Sequence, residues 1–448
     1  MPAPSYPFRP KSNVQLEPGQ FWSIPLSDGR FGCGRVLRVD RDRSYGARIL
    51  FVGAILDWVG DGPPTAEAIA GRPVLGIGVM HVRGIAYGGG SVVGERPLAA
   101  DGIEPPVGSI GTHWGDGFPT LRAERRFIAG DPPPTAERRQ VASPLTEEML
   151  RPSPTGRGVV QFDRRLTDGD FERLSDWMAR YPEMMLRAYG SYDGSIRDLE
   201  FLRFFPRLRR FDADALYSRI SSLDGLRHLP DDLEELAIGD TKPRHDLAIL
   251  ARFSRLNSLW IEGHTRHIEV IGELTGLEKL SLRSITLPDL SPMLPLRALK
   301  ALEIKLGGTR DLALLPRIGE VRYLELWLIR GLEDVTPIGE MASLRSVFLQ
   351  ALRRVERLPD FSGAPDLRRV HLMQMKGLRD LRPLATAAAL EELLLVEMPQ
   401  LQVEDLRPLT TLPRLRAVTV GLGSTRNNDA AEAMLGLPPV TNALDWRD

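Results

Sequence analysis

From Leu208 onward, apolar residues recur in the pattern L-x-x-L-x-L, with Ile, Val, Phe or Ala substituting. The copies begin at Leu208, Leu233, Leu256, Leu277, Leu299, Val321, Leu344, Leu367, Leu390 and Leu415, a mean period of 23 residues. Ten copies at one period predict a stacked array, in which each unit buries its apolar face against its neighbours. The L-x-L end of each copy alternates with period two and predicts a short strand. The segments between, such as TLPDLSPMLPLRA and TRDLALLPRIGE, are short and carry Pro. They predict turns and 3₁₀ pieces rather than long helices.

The cleanest copies are LEELAI (233–238), LNSLWI (256–261), LEKLSL (277–282) and LKALEI (299–304). They resemble a leucine-rich repeat, which implies a solenoid with parallel strands on its concave face and short returns on its convex face. The array departs from the family pattern in one place. The Asn that usually follows L-x-L is replaced by Thr241, His264, Ile285, Gly307, Ile329, Leu352, Met375 and Met398. An asparagine ladder is therefore absent; these mostly apolar residues are expected to extend the core, and the turn backbone needs other partners.

Residues flanking the central apolar position of each strand should face the concave side. The middle column reads Trp260, Ser281, Glu303, Glu325, Phe348, His371, Leu394, and the next reads Glu262, Arg283, Lys305, Trp327, Gln350, Met373, Val396. The preceding column adds Ser258, Lys279, Tyr323 and Arg369. Trp260, Tyr323, Trp327 and Phe348 are expected to be exposed among Glu303, Glu325, Lys305 and Arg283, a composition typical of protein-interface anchors. His371, Met373, Leu394 and Val396 extend an apolar area that a partner or a C-terminal cap should cover. The candidate protein-binding residues are Trp260, Glu262, Arg283, Glu303, Lys305, Tyr323, Glu325, Trp327, Phe348, Gln350 and His371.

Solenoid ends need shielding. In LTDGDFERLSDWMARYP, Phe171, Leu174, Trp177 and Met178 share one helical face, with Asp168 or Asp170 as cap and Pro182 as stop. This predicts a helical N-terminal cap over 161–205 leading into repeats over 206–421. Residues 422–448, with NNDAAEAMLGLPP and Trp446, predict a C-terminal cap. The stretch 131–160, with Pro132 to Pro134 and PSPTGRG, lacks periodicity and reads as a linker.

Residues 14–130 follow another pattern. Short β-type runs, QFWSIPL, FGCGRVLRV, ARILFVGAILDWV and VLGIGVMHV, alternate with Gly, Pro and Asp and predict an all-β domain. Asp28-Gly29 is a hairpin signal, and Gly19 and Gly34 suit tight turns or a bulge. The segment EPGQFWSIPLSDGRFGCGRVL resembles the opening of the bacterial immunity protein twenty-six family, through Gly19, Phe21, Ile24, Pro25, Leu26, Asp28, Gly29, Phe31 and Gly34. The likeness runs to about Trp58. It implies an all-β fold and a role in neutralising toxins encoded alongside, by binding rather than by chemistry.

Charge adds an exclusion. Lys+Arg 58 against Asp+Glu 59 gives a net charge of −1, too balanced for a general nucleic-acid binder. One cysteine, Cys33, leaves no disulfide framework or thiolate zinc cage. The start lacks the apolar core of a secretory signal and no run is long enough to cross a membrane, so the expectation is cytoplasmic.

Candidate chemistry is sparse. Gly76–His81 and Tyr87–Ser91 are Gly-rich but do not match a phosphate loop. Cys33 with His81 or His113 would be a thiol pair, though a cysteine in a β-run is more often core. His264 and His267 beside Glu262 suggest a metal, without a third dedicated ligand at clear spacing. Glu234-Glu235 and Glu391-Glu392 should point apart on their strands and form no acid/base pair. No catalytic, cofactor or metal residue is therefore assigned. The expected function is non-enzymatic: an immunity protein occluding a cognate toxin. A general leucine-rich adaptor and an enzyme in the β domain are the alternatives; the partner is another protein and the oligomeric state is open.

Overall fold

Glycine opposite large aromatics shapes the first part of the chain, and stacked leucines shape the rest. The computed structural model describes residues 5–40, 48–86, 89–105, 113–115, 117–128, 137–153, 156–191, 193–216 and 220–440. Two compact units divide between residues 135 and 136.

The first unit is a six-stranded sheet: β1 (Gln20–Pro25), β2 (Phe31–Arg38), β3 (Leu50–Gly60), β4 (Val74–His81), β5 (Val92–Glu95) and β6 (His113–Trp114). Its order is β5-β1-β2-β3-β4-β6, antiparallel except for the β4–β6 pair. Asp28-Gly29 sits in the β1–β2 hairpin as predicted, with Gly29 at φ 87° and the Arg30 N–H donating to Asp28 Oδ1 at 3.0 Å. The pairing of β2 with β3 shifts register between Gly32 and Gly34. Gly34 is required by packing, because a Cβ there would fall 2.0 Å from the Trp22 indole. Gly78 in β4 makes the same room for Trp114, so the run Gly76–His81 is strand and not a phosphate loop.

A short helix α1 (Arg83–Ala86) follows β4, and the longer α2 (Phe118–Phe127) joins the strands, with Ala123 buried and Phe118 and Phe127 against the core. Glu124 on α2 accepts from Ser27 N–H (2.6 Å) and Ser27 O–H (3.0 Å). Arg35 is wholly buried, where Asp101 (2.5 Å) and the carbonyls of Arg96 and Pro97 neutralise and solvate it.

The second unit is a parallel sheet of thirteen strands in chain order: β7 (Glu137–Gln140), β8 (Arg157–Phe162), β9 (Glu183–Ala188), β10 (Arg210–Ala213), β11 (Glu235–Ile238), β12 (Ser258–Glu262), β13 (Lys279–Arg283), β14 (Ala301–Lys305), β15 (Tyr323–Trp327), β16 (Ser346–Gln350), β17 (Arg369–Met373), β18 (Glu392–Val396) and β19 (Ala417–Val420). The ten sequence repeats are β10–β19. Each return carries short 3₁₀ pieces or turns, giving a leucine-rich repeat solenoid with one continuous core.

Three strands precede the leucine pattern. Val160, Leu186 and Phe211 share one register line, which puts Arg157 and Glu183 where the first leucine of a repeat would stand. The stretch 131–160, read from sequence as linker, thus differs: β7 and the start of β8 lie within it, and Pro132 to Pro134 lie outside the described residues. Arg139 secures this stretch, stacking over Trp177 (4.7 Å) and donating to the carbonyls of Met149 and Arg151.

Helix α3 (Asp168–Met178) crosses from β8 to β9 and buries Phe171, Leu174, Trp177 and Met178. Its cap is Thr167, whose side chain accepts from Asp170 N–H, and neither Asp168 nor Asp170. Asp170 is instead engaged by Leu145 N–H (3.1 Å), and Asp168 pairs with Arg203 at the surface (3.0 Å).

The missing asparagine ladder is replaced by backbone. Ser284, Leu306, Leu328, Ala351, Gln374 and Glu397 adopt φ between 50° and 59° at their strand ends. Their left-handed conformation turns the chain while their N–H groups extend the ladder, as in Ser284 to Lys305 O and Leu328 to Gln350 O (both 2.8 Å). The following residues, Ile285, Ile329, Leu352, Met375 and Met398, are buried in the core. His264 performs the amide's task, with Nδ1 accepting from His245 N–H and Nε2 on Gly239 O (both 3.1 Å). At the far end, α4 (Thr425–Leu435) buries Ala431, and Val418 N–H bonds Pro438 O, covering the β19 edge. Trp446 lies outside the described residues.

The concave face of the repeat array as candidate site

Parallel pairing without a register shift from β10 to β19 makes the three predicted columns real lines of neighbours. Trp260, Ser281, Glu303, Glu325, Phe348, His371 and Leu394 stand side by side. So do Glu262, Arg283, Lys305, Trp327, Gln350, Met373 and Val396.

Their exposure differs from expectation. Tyr323 is 7% exposed, and Glu262, Glu303, Glu325 and His371 are also buried. Trp260, Trp327, Phe348, Arg283, Lys305 and Gln350 are half-buried. The cause is side-chain contact across strands about 4.8 Å apart. Glu303 takes Lys279 (2.8 Å) on one oxygen, and Lys305 (2.9 Å) with the Ser281 hydroxyl (2.7 Å) on the other. Lys305 also reaches Glu325 (2.9 Å), which accepts from Tyr323 O–H (3.1 Å). Arg283 pairs with Glu262 (2.9 Å) and lies over the Trp327 ring (5.3 Å).

Burial alone would raise the Glu303 carboxyl; the Lys279 and Lys305 ammoniums outweigh it and hold it below its ordinary value. Burial would likewise lower Lys305, and Glu303 and Glu325 raise it instead. Toward the C-terminus the balance reverses. His371 sits against Phe348 (6.1 Å, edge to face), and burial, with Arg369 nearby, drives its pKa down to about 4. It is neutral at physiological pH.

The strands before Trp260 carry polar residues that the column reading did not reach. Asp214 holds Arg187 in a two-pronged pair (2.8 and 2.9 Å), leaving Asp212 at 3.5 Å from the same guanidinium. Burial, then repulsion from Asp214, raises Asp212 to about 7. Asp212, Asp214, Glu235, Trp260 and Lys279 line a groove of about 330 Å³. The signal was present: the hexamers at Leu208 and Leu233 place Asp212, Asp214 and Glu235 by the spacing that found Trp260.

The candidate chemistry elsewhere is dispersed. Cys33 is packed among Phe21, Leu56, Trp58 and Ile69, and burial pushes its thiol far up, so no thiolate is at hand. His81 accepts the Arg83 N–H (2.9 Å), and the His113 side chain lies outside the described residues. His264 is buried, His267 pairs with Asp246 (2.6 Å) at the surface and Glu262 with Arg283, so the three do not pool as ligands. Glu391 and Glu392 converge on Arg416 (3.2 and 2.8 Å) rather than diverging, because Glu391 precedes its strand.

Residues 17–118 match the family described as Immunity protein 26, well past the Trp58 limit visible in the motif. Among solved structures, the chain is similar to an internalin of Listeria monocytogenes (16% identity, 67% of this chain and 90% of that one, TM-score 0.42). A second internalin of that organism has 18% identity, 57% and 84% coverage and a TM-score of 0.29. A leucine-rich repeat protein of Leptospira interrogans has 12% identity, 69% and 97% coverage and a TM-score of 0.37. No curated protein matches the chain. Among the described residues no helix is long and apolar enough to cross a membrane.

Proposed function

We propose that this chain is a non-enzymatic, cytoplasmic immunity protein that neutralises a cognate bacterial toxin by binding and occluding it. The observation that carries the reading is the match of residues 17–118 to the Immunity protein 26 family. In this proposal residues 14–130 form the immunity-like domain, and the repeats over 206–421 widen its contact surface. The concave columns support that role. Trp260, Trp327 and Phe348 keep part of each ring accessible on a face long enough for a standard interface of about 1,200–2,000 Å².

The test is co-expression of the full chain with the toxin domain encoded beside it, reading growth rescue and a stoichiometric complex. Trp260→Ala with Trp327→Ala should weaken that complex by about 4 kcal/mol while the free protein stays folded. Unchanged affinity removes the concave face from the contact. Absence of rescue removes the immunity reading and moves the general adaptor ahead.

A further inference from the structure

Within the concave face, one place has an aromatic ring with no cation over it and carboxylates whose cations stand farther off than those on their counterparts. Tyr189 is covered by Arg187 (5.1 Å) and Trp327 by Arg283 (5.3 Å). Over Trp260, which is half-buried, no Arg or Lys lies among the described residues. The carboxylates around it are likewise uneven. Glu303 is saturated by two ammoniums at 2.8 and 2.9 Å, and Asp214 by Arg187 at 2.8 Å. Asp212 and Glu235 find their nearest guanidiniums, Arg187 and Arg210, only at 3.5 Å. Arg210 is further divided between Glu183 (2.7 Å) and Glu234 (3.7 Å). Beside these groups the groove of about 330 Å³ is open, at the lower end of ordinary ligand sites.

We infer that this groove receives an arginine side chain presented by a protein partner, its guanidinium stacked on Trp260 and paired with Asp212 and Glu235. A flat, weakly hydrated cation satisfies a ring face and two carboxylates at once, which a compact ammonium does not. Met185 and Ala237, which also line the groove, suit the aliphatic stem. Burial, then repulsion from Asp214, raises the Asp212 carboxyl, and an added guanidinium would offset that repulsion. The inference rests on the concave face being the protein-binding surface, and it predicts that the partner inserts an arginine there.

A short Gly-Arg repeat peptide titrated into the full chain by calorimetry tests this, against the same peptide with citrulline or lysine in place of arginine. Citrulline keeps the shape and removes the charge. The arginine peptide should bind at least about tenfold more tightly than the citrulline one and measurably more tightly than the lysine one. Asp212→Asn and Trp260→Leu should each abolish most of that difference. The return-segment variants Glu333→Gln and Asp380→Asn should leave it intact. Equal binding of arginine and citrulline peptides overturns the inference, as does an equal loss in the return-segment variants. The titration needs no toxin, so it can fail while co-expression still shows neutralisation, and the reverse also holds.

Discussion

The two halves of the concave face share one backbone register and differ in how they hold their polar atoms. From β12 to β15, carboxylates and ammoniums alternate, and Glu303 is buried and Lys305 half-buried only because each neighbour brings the opposite charge. From β16 to β18, Phe348, His371, Leu394, Met373 and Val396 face the same side, and His371 stays neutral with its Nε2 unbonded among the described residues. Residues one repeat apart in sequence are touching neighbours, so the character of each half depends on what stands at the same position 21 to 23 residues on. A buried charge survives where neighbouring strands bring the opposite charge, as at Glu303 and, in the second half, at Glu392 between Arg369 (3.2 Å) and Arg416 (2.8 Å), whereas His371, with Phe348 and Leu394 beside it, stays a neutral imidazole.

Removing the centre of the charged half should have the largest effect. Glu303→Ala leaves Lys279 and Lys305 without their shared carboxylate and should cost about 3 kcal/mol in denaturant unfolding. A loss below about 1 kcal/mol would show the network to be screened like a surface pair. Because the Glu303 carboxyl is held low, its contribution is present above the ordinary carboxylate range and lost as pH falls through its folded value.

The apolar half should show its own acid sensitivity. His371 has a folded pKa of about 4 against an ordinary 6.5, so between those values the unfolded chain takes up the proton first. Stability should fall by about 2–3 kcal/mol from pH 7 to pH 4 on this account. His371→Leu should flatten that slope. An unchanged slope would mean that His371 titrates in solvent.

Asp212 should slope the other way. Its folded value, raised to about 7 from 3.8, means the unfolded chain releases its proton first, so stability is full at low pH and lost as pH rises to 7. Asp212→Asn should therefore stabilise the protein by about 2 kcal/mol at pH 8 and hardly at all near pH 4. Equal effects at both pH values would refute the buried-carboxyl account. The smallest change concerns both halves alike, since the strand ends share a left-handed turn. Leu328 is 39% exposed at φ 50°, and Leu328→Gly should raise stability by about 1 kcal/mol in thermal unfolding. A loss would mean that its side chain packs.

Much of this was legible. Ten strand positions and the membership of three concave columns followed from spacing, since a period-two strand in a fixed repeat leaves no freedom of face. β7 to β9 were not, because Arg157 and Glu183 interrupt the leucine position that marks a repeat. Thr167 caps α3 in place of Asp168 or Asp170, which differ from it only in where the helix begins. Tyr323 and Glu303 stand in columns that alternation places on the concave surface, yet both are buried, because alternation does not specify what the side chains of neighbouring strands reach.

By itself the sequence determined the repeat, its strands and the residues on each face, because those depend on local alternation and a constant period. Burial, the Asp212–Asp214 competition for Arg187, the neutral His371 and the turns made from left-handed non-glycine residues were decided only by the tertiary structure. Each depends on side chains or carbonyls brought within a few ångströms by stacking, and that proximity sets solvation and charge where sequence distance does not.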